Sequence, residues 1–354
     1  MTAKKWFVTF TGIFIGILAL LVVMVAVLDP FFHYHAPLSS FYYTLDNERS
    51  QNNGIARNFE FNALITGTSM TENFKTSELD ELFGVNSVKM CYSGAMYKEI
   101  NDNVEVALAN NDVDIVVRGL DNFYLIQDKD DLRDDLGEYP EYLYNDNIFD
   151  DVYYIFNKGI IVNYCFQMIA KKLMGVEGGI TSFDDYSNWM SEASFGAENV
   201  LAGRDSFGEP TEEVHLTDEE REMLIANIEQ NVVSVARNNP DVTFYYFYTP
   251  YSIAKWGGDY EDGTIYREME AVLITTQMCL EYDNIKLFDF NTNTDVITNL
   301  DNYRDSGHYG EWINSWILEC MQNGDYQLTE DNYEEMIAEE QEIFLSYDYN
   351  SLFE

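Results

Sequence analysis

Five short apolar runs, each followed by a helical period, constrain this chain more than any other feature. The runs fall at 61–67, 87–92, 114–119, 242–249 and 285–290, and the helical patterns at 76–83, 96–110, 217–238, 264–282 and 309–322. The runs are rich in Val, Ile, Phe and Tyr, which suits strands buried on both faces. Alternation of this kind builds a parallel sheet with helices on either side. The expected fold class is therefore α/β, a three-layer α/β/α sandwich around a parallel sheet of about five strands. Thr217 with Glu220 forms a capping box at the start of its helix, and Pro240 lies just past the end.

Residues 6–28 carry no charge and are long enough to cross a bilayer core as a helix. Lys4 and Lys5 precede them and Asp29-Pro30 follow, so the N-terminus is expected in the cytoplasm and everything after Asp29 outside. The run is too long for a typical signal peptide, and no Ala-x-Ala-like site follows, which favours an uncleaved anchor. The expected organisation is a stub and transmembrane anchor over 1–28, a juxtamembrane connector over 29–60 and a main domain over 61–325. An acidic helical tail over 326–354 completes it. The stretch 122–241 is too long for one crossover and reads as an insertion within the main domain. It holds an acidic part (128–151), an aromatic helix-like part (152–174) and a Gly/Ser-rich loop (175–208).

The chain has 354 residues, 62 of them acidic and 20 basic, for a formal net charge of −42. Such a surface repels phosphate backbones, so nucleic acid is not an expected partner. It also argues against docking on anionic headgroups through the folded part. Cys91, Cys165, Cys279 and Cys320 are far apart in apolar contexts and read as buried thiols rather than a disulfide framework. His33 and His35 are too few to make a metal site and read as part of an aromatic belt at the membrane surface. No metal and no cofactor is expected.

Chemistry points to two stretches. In Phe61-Asn-Ala-Leu-Ile-Thr-Gly-Thr-Ser69-Met70 an apolar run ends in a glycine turn and a serine. A serine there sits at the carboxyl end of a central strand, where open α/β sheets place ligands, and faces the positive end of the next helix. The second stretch is Asn302-Tyr-Arg-Asp305-Ser-Gly-His308-Tyr309, after the last strand. Of four histidines, only His308 falls at the carboxyl side of the sheet, with an acid three residues earlier. Acyl transfer needs a hydroxyl, a base and a group that orients the base. The bland alternative is a capping aspartate beside a surface histidine.

Gly67-Thr68-Ser69 after the first strand, Ser93-Gly94 after the second, Asp121-Asn122 after the third and Asp305-x-x-His308 after the last together resemble the SGNH (GDSL-like) hydrolase superfamily. With the single span, Phe-Phe-His-Tyr-His at 31–35 and Asn302-Tyr303-x-Asp305-x-x-His308, the chain is similar to the membrane-anchored DltD-like branch and to alginate-type O-acetyltransferases. The resemblance covers about 29–322. It implies a flavodoxin-like sheet order, Ser69 as nucleophile, His308 as base and Asp305 as its orienter. It also implies oxyanion donors among the backbone N–H groups near Ser69 and of Gly94. The third block departs from the family's Gly-x-Asn-Asp, reading Gly119-Leu120-Asp121-Asn122. The oxyanion asparagine aligns with Asp121, so either Asn122 takes that role or the donor is missing. The resemblance further implies transfer of acetyl or D-alanyl groups to a cell-envelope polysaccharide or teichoic acid, supplied by a multispanning membrane-bound O-acyltransferase. Two other readings stay open: simple ester hydrolysis by the same residues, and a non-catalytic scaffold for the acyltransferase.

Overall fold

The computed structural model describes residues 1–133 and 139–354, so residues 134–138 of the expected acidic stretch lie outside the described residues. The chain forms two compact units. One comprises residues 1–60 and 135–182, the other 61–134 and 183–354.

The larger unit is a mixed α/β sandwich around a six-stranded sheet. Its strands are β1 (Ala63–Gly67), β2 (Ser87–Cys91), β3 (Ile115–Leu120), β4 (Thr243–Tyr248), β5 (Ile285–Asp289) and β6 (Gln327–Leu328). Their order is β2-β1-β3-β4-β5-β6. The first five are parallel, and β6 adds an antiparallel edge beside β5. Every residue of β1 and β2 is buried; β1 is apolar save for Thr66 and Gly67, whereas β2 buries Ser87 and Lys89 as well. Helix Thr76–Phe83 packs with Glu311–Asn323, while Tyr97–Asn110 packs with the 218–238 helix. The last of these is interrupted by a π turn at Glu229–Val233. Strand order reverses at β1, between β2 and β3. A crevice therefore opens at the carboxyl ends of β1 and β3, the place where such sheets bind ligands.

In the smaller unit the N-terminal helix runs Ala3–Leu28 and is long and apolar enough to cross a membrane. It ends where Asp29 turns left-handed at φ 40°. The buried Asp29 carboxylate accepts the backbone N–H groups of His33, Tyr34 and His35 and the hydroxyl of Tyr154. Burial raises the Asp29 carboxyl, and those bonds work against the rise. The polar stretch expected as a connector contains a helix at Glu48–Asn58, with Gln51, Asn52 and Asn53 buried.

The helix of the acidic tail expected over 326–354 spans Tyr333–Ser346 and packs on Ile253–Asp262 and Ile265–Leu280. Ile337 and Phe344 face the core, and Phe344 stacks on Trp256 with ring centres 4.0 Å apart. The same face buries Glu340 against Asp289. Burial pushes Glu340 well above the ordinary carboxyl range, and the charge of Asp289 and the bond to it act in the same direction. Two carboxyls can bond only when one carries a proton. A proton held by the folded chain but not the unfolded one makes stability fall as pH rises from the ordinary glutamate value of 4.5. Glu340→Gln keeps the hydrogen bond without the charge. Thermal denaturation between pH 5 and 9 (roughly the range open to such titrations) should show the variant with a flatter pH profile and a Tm a few degrees higher at the alkaline end.

Candidate active site

Ser69 sits two residues beyond β1. Gly67 closes the strand at φ +142°, a backbone conformation that L side chains rarely adopt, and Thr71 packs where its Cβ would stand. Ser69 does not cap the next helix. That role falls to Asp184, which accepts from the Ser77 N–H at 3.0 Å and from the Thr76 and Ser77 hydroxyls at 3.0 and 2.6 Å.

The Ser69 Oγ lies 2.8 Å from His308 Nε2. On the other side of the ring, His308 Nδ1 lies 2.9 and 3.0 Å from the two Asp305 oxygens. Asp305 also accepts the backbone N–H groups of Gly307 and His308. Burial works to raise the Asp305 carboxyl, but the His308 ring bond and charge and the two backbone bonds outweigh it and hold it down to about 2. Ionised Asp305 is a pure acceptor, so in the neutral ring Nδ1 carries the proton and bare Nε2 accepts from the serine hydroxyl. A depressed carboxyl stabilises the fold above its ordinary range and loses that contribution as pH falls toward 2.

The loop that carries His308 is tied down independently. Tyr303 and Tyr309 bridge antiparallel, and the Arg304 N–H donates to the His308 carbonyl at 2.9 Å. The Tyr303 hydroxyl donates to the Pro250 carbonyl and the Ser252 hydroxyl to the Ser306 carbonyl, at 2.9 and 2.7 Å. Both partners belong to the loop after β4.

Asp121, aligned by sequence with an oxyanion donor, sits elsewhere. It is fully buried after β3. Its carboxylate accepts from Thr68 Oγ1 at 2.5 Å, Thr249 Oγ1 at 3.1 Å and the Tyr251 hydroxyl at 2.7 Å. Burial raises its carboxyl, and the three hydroxyl bonds oppose the rise. It joins the serine turn to the loop that holds the histidine turn. Asn122 is also buried, and its amide N and O have no partner among the described residues. Neither Asp121 nor Asn122 lines the cleft that Ser69 faces. The Met70 N–H is engaged by Thr68 Oγ1 at 3.3 Å.

That cleft, of about 510 Å³, is lined by Ser69, Glu72, Ser93, Gly94, Tyr124, Arg133, Trp189, Arg304, Asp305 and His308. Gly94 has φ +57°, and a Cβ on it would fall 1.6 Å from Arg133 Nη1, which donates to the Gly94 carbonyl at 2.9 Å. Any side chain there would strain the backbone and push the arginine end away. Trp189 braces the other side. Its indole N–H points at the Ser69 carbonyl at 3.4 Å, its ring meets His308 edge-on with centroids 5.7 Å apart, and Arg304 lies 4.8 Å over its face. Arg133 and Arg304 escaped the sequence reading as site residues. An arginine so close to the His308 motif, in a chain with few cations, was the available signal. Among the described residues no cluster of His, Cys, Asp and Glu suits a metal. His33 bonds to Asp151 at 3.2 Å, and His215 is a surface residue against Glu270.

No protein-family model matches the chain, and no curated protein does. Among solved structures, one bearing the provisional name of a platelet activating factor, from Streptococcus pneumonia, is similar at 14% identity. The match covers 78% of this chain and 91% of that one, with a TM-score of 0.37.

Asp121→Ala leaves three buried hydroxyls without their acceptor. At about 1 kcal/mol for each lost bond, the variant should lose on the order of 3 kcal/mol in denaturant or thermal unfolding.

Proposed function

We propose that this chain is a serine acyl-transfer enzyme of SGNH type, anchored in a cell membrane by its N-terminal helix with the site on the outer side. One observation carries the reading: Ser69 Oγ, His308 and Asp305 form a continuous hydrogen-bonded line at 2.8 and 2.9 Å on the wall of an open cleft. In that geometry His308 takes the hydroxyl proton as Ser69 attacks an acyl carbon. Asp305 keeps the ring in the accepting tautomer and stabilises the imidazolium. The leaving group departs with the proton from Nε2. An acceptor hydroxyl, or water, then repeats the sequence on the acyl-serine.

Backbone N–H groups beside Ser69 and at Gly94 are the oxyanion donors in this reading. With Asp121 occupied by three hydroxyls, the side-chain donor usual at that block is replaced by backbone alone. The acyl group is acetyl or D-alanyl, the acceptor a hydroxyl on a cell-envelope polysaccharide or teichoic acid, and the supplier a multispanning membrane-bound O-acyltransferase. These finer assignments come from the resemblance of the motifs. The scaffold alternative is favoured by the missing side-chain donor and makes a different demand: Ser69→Ala should then serve as well as the native chain in cells lacking the gene.

The purified full-length protein should take a serine-directed fluorophosphonate at Ser69 and hydrolyse a p-nitrophenyl ester. Ser69→Ala should abolish labelling, and His308→Ala should lower hydrolysis by roughly three orders of magnitude or more. A folded native protein that neither labels nor hydrolyses sinks the catalytic reading.

A further inference from the structure

The smaller unit exposes an apolar face that the chemistry above does not use. Beyond residue 28, most large apolar side chains facing solvent among the described residues fall between Ile148 and Val176. The others are Tyr34, Phe123, Ile225 and Trp312. Phe149 is 86% exposed and Leu173 83%, with Tyr153, Phe166 and Met174 also prominent. A soluble surface rarely gathers such residues in one place without a partner.

Charge marks out the larger part of that segment, beyond Asp150 and Asp151. Residues 152–176 hold Lys158, Lys171 and Lys172 and no acidic residue, in a chain with 62 acids against 20 bases. Lys158 and Lys172 are exposed. Apolar side chains interleaved with lysines, free of acids, are the composition of an element that lies in a lipid interface.

Position supplies the occupant. The N-terminal helix packs directly on Val152–Ile155 and Ile160–Cys165, with Val25 and Leu28 buried. Tyr154 lies at that junction, its hydroxyl donating to Asp29 at 2.8 Å and accepting the Phe31 N–H at 3.2 Å. At 1.5 Å per residue the 26-residue helix is about 39 Å long, against a hydrocarbon core of about 30 Å. Its last turns therefore reach the headgroup layer, and the segment packed on them is held at that depth.

We propose that the 148–176 segment is a second, interfacial membrane contact, embedding its apolar side chains in the outer leaflet beside the helix exit and setting its lysines among anionic headgroups. The proposal rests on the N-terminal helix being a bilayer span.

The test uses full-length protein in vesicles of phosphatidylcholine and phosphatidylglycerol, with a nitroxide placed in turn at Phe149→Cys, Leu173→Cys, Leu20→Cys and Glu342→Cys. The four native cysteines are buried, so the introduced thiol takes the label. Collision with oxygen reports lipid, and collision with a nickel chelate reports water. The expected result is an oxygen-to-nickel ratio at 149 and 173 severalfold above that at Glu342, approaching that at Leu20. If 149 and 173 match Glu342 while Leu20 reads lipid, the interfacial contact is overturned and the span stands. If Leu20 also reads water, the span fails and the proposal with it. Labels shielded from both reagents would mean that protein covers the face, which also overturns it. None of the four positions touches the Ser69 cleft, so ester hydrolysis stands or falls separately.

Discussion

The buried carboxylate of Asp121 is the contact on which the site's geometry depends. Ser69 and His308 stand 239 positions apart in sequence, on loops from different strands, and a 2.8 Å contact between them tolerates little slack. Asp121 gathers Thr68 from the serine turn and Thr249 and Tyr251 from the loop after β4. That loop in turn accepts the Tyr303 hydroxyl at Pro250 and donates from Ser252 to the Ser306 carbonyl, the two ties of the histidine turn. Serine turn, Asp121, post-β4 loop, histidine turn and serine form a closed ring of hydrogen bonds. Removing water from a carboxylate is costly unless donors replace it, and here three hydroxyls do. A ring closed through buried bonds also has few alternative arrangements, which is what a preorganised nucleophile and base require.

The same ring suits a carboxylate at 121 better than an amide. An amide at 121 can accept through only one oxygen, while the two carboxylate oxygens serve three hydroxyls. Sequence alignment assigned the position a donor role by its place in the chain. The burial and the three acceptor bonds become visible only when β1, β3 and β4 lie side by side.

The sheet was legible because most strand residues are buried on both faces, so short runs rich in apolar residues mark the strands. The observed strands fall within one or two residues of the apolar runs, apart from the two-residue edge β6. The misses share one physical cause, burial of residues that composition reads as surface. Helix Glu48–Asn58 carries Gln51, Asn52 and Asn53 inward, so no apolar stripe announces it. Helix Ile253–Asp262 contains Gly257 and Gly258, which suppress any helical signal, and Gly257 leaves room for the rings of Phe207 and Tyr349. Ser69 and His308 were legible because few other residues of their types stood at a strand end. Arg133 was not, since it comes from the long stretch between β3 and β4, where no period places it.

Net charge taught a similar lesson in scale. A formal charge of −42 describes the average field and opposes a polyanion spread over the whole surface. Screening confines each charge to about 8 Å at physiological ionic strength, so a surface element responds to its own neighbours and not to the total. Two places depart from the average. The cleft beside Ser69 holds Arg133 and Arg304, two of only 20 basic residues. The 152–176 segment has lysines and no acids. A molecule that is acidic nearly everywhere else can keep the rest of its surface away from anionic headgroups while letting one apolar, basic segment approach them. In the proposed interfacial contact, the excess of acid elsewhere opposes adhesion of other surfaces.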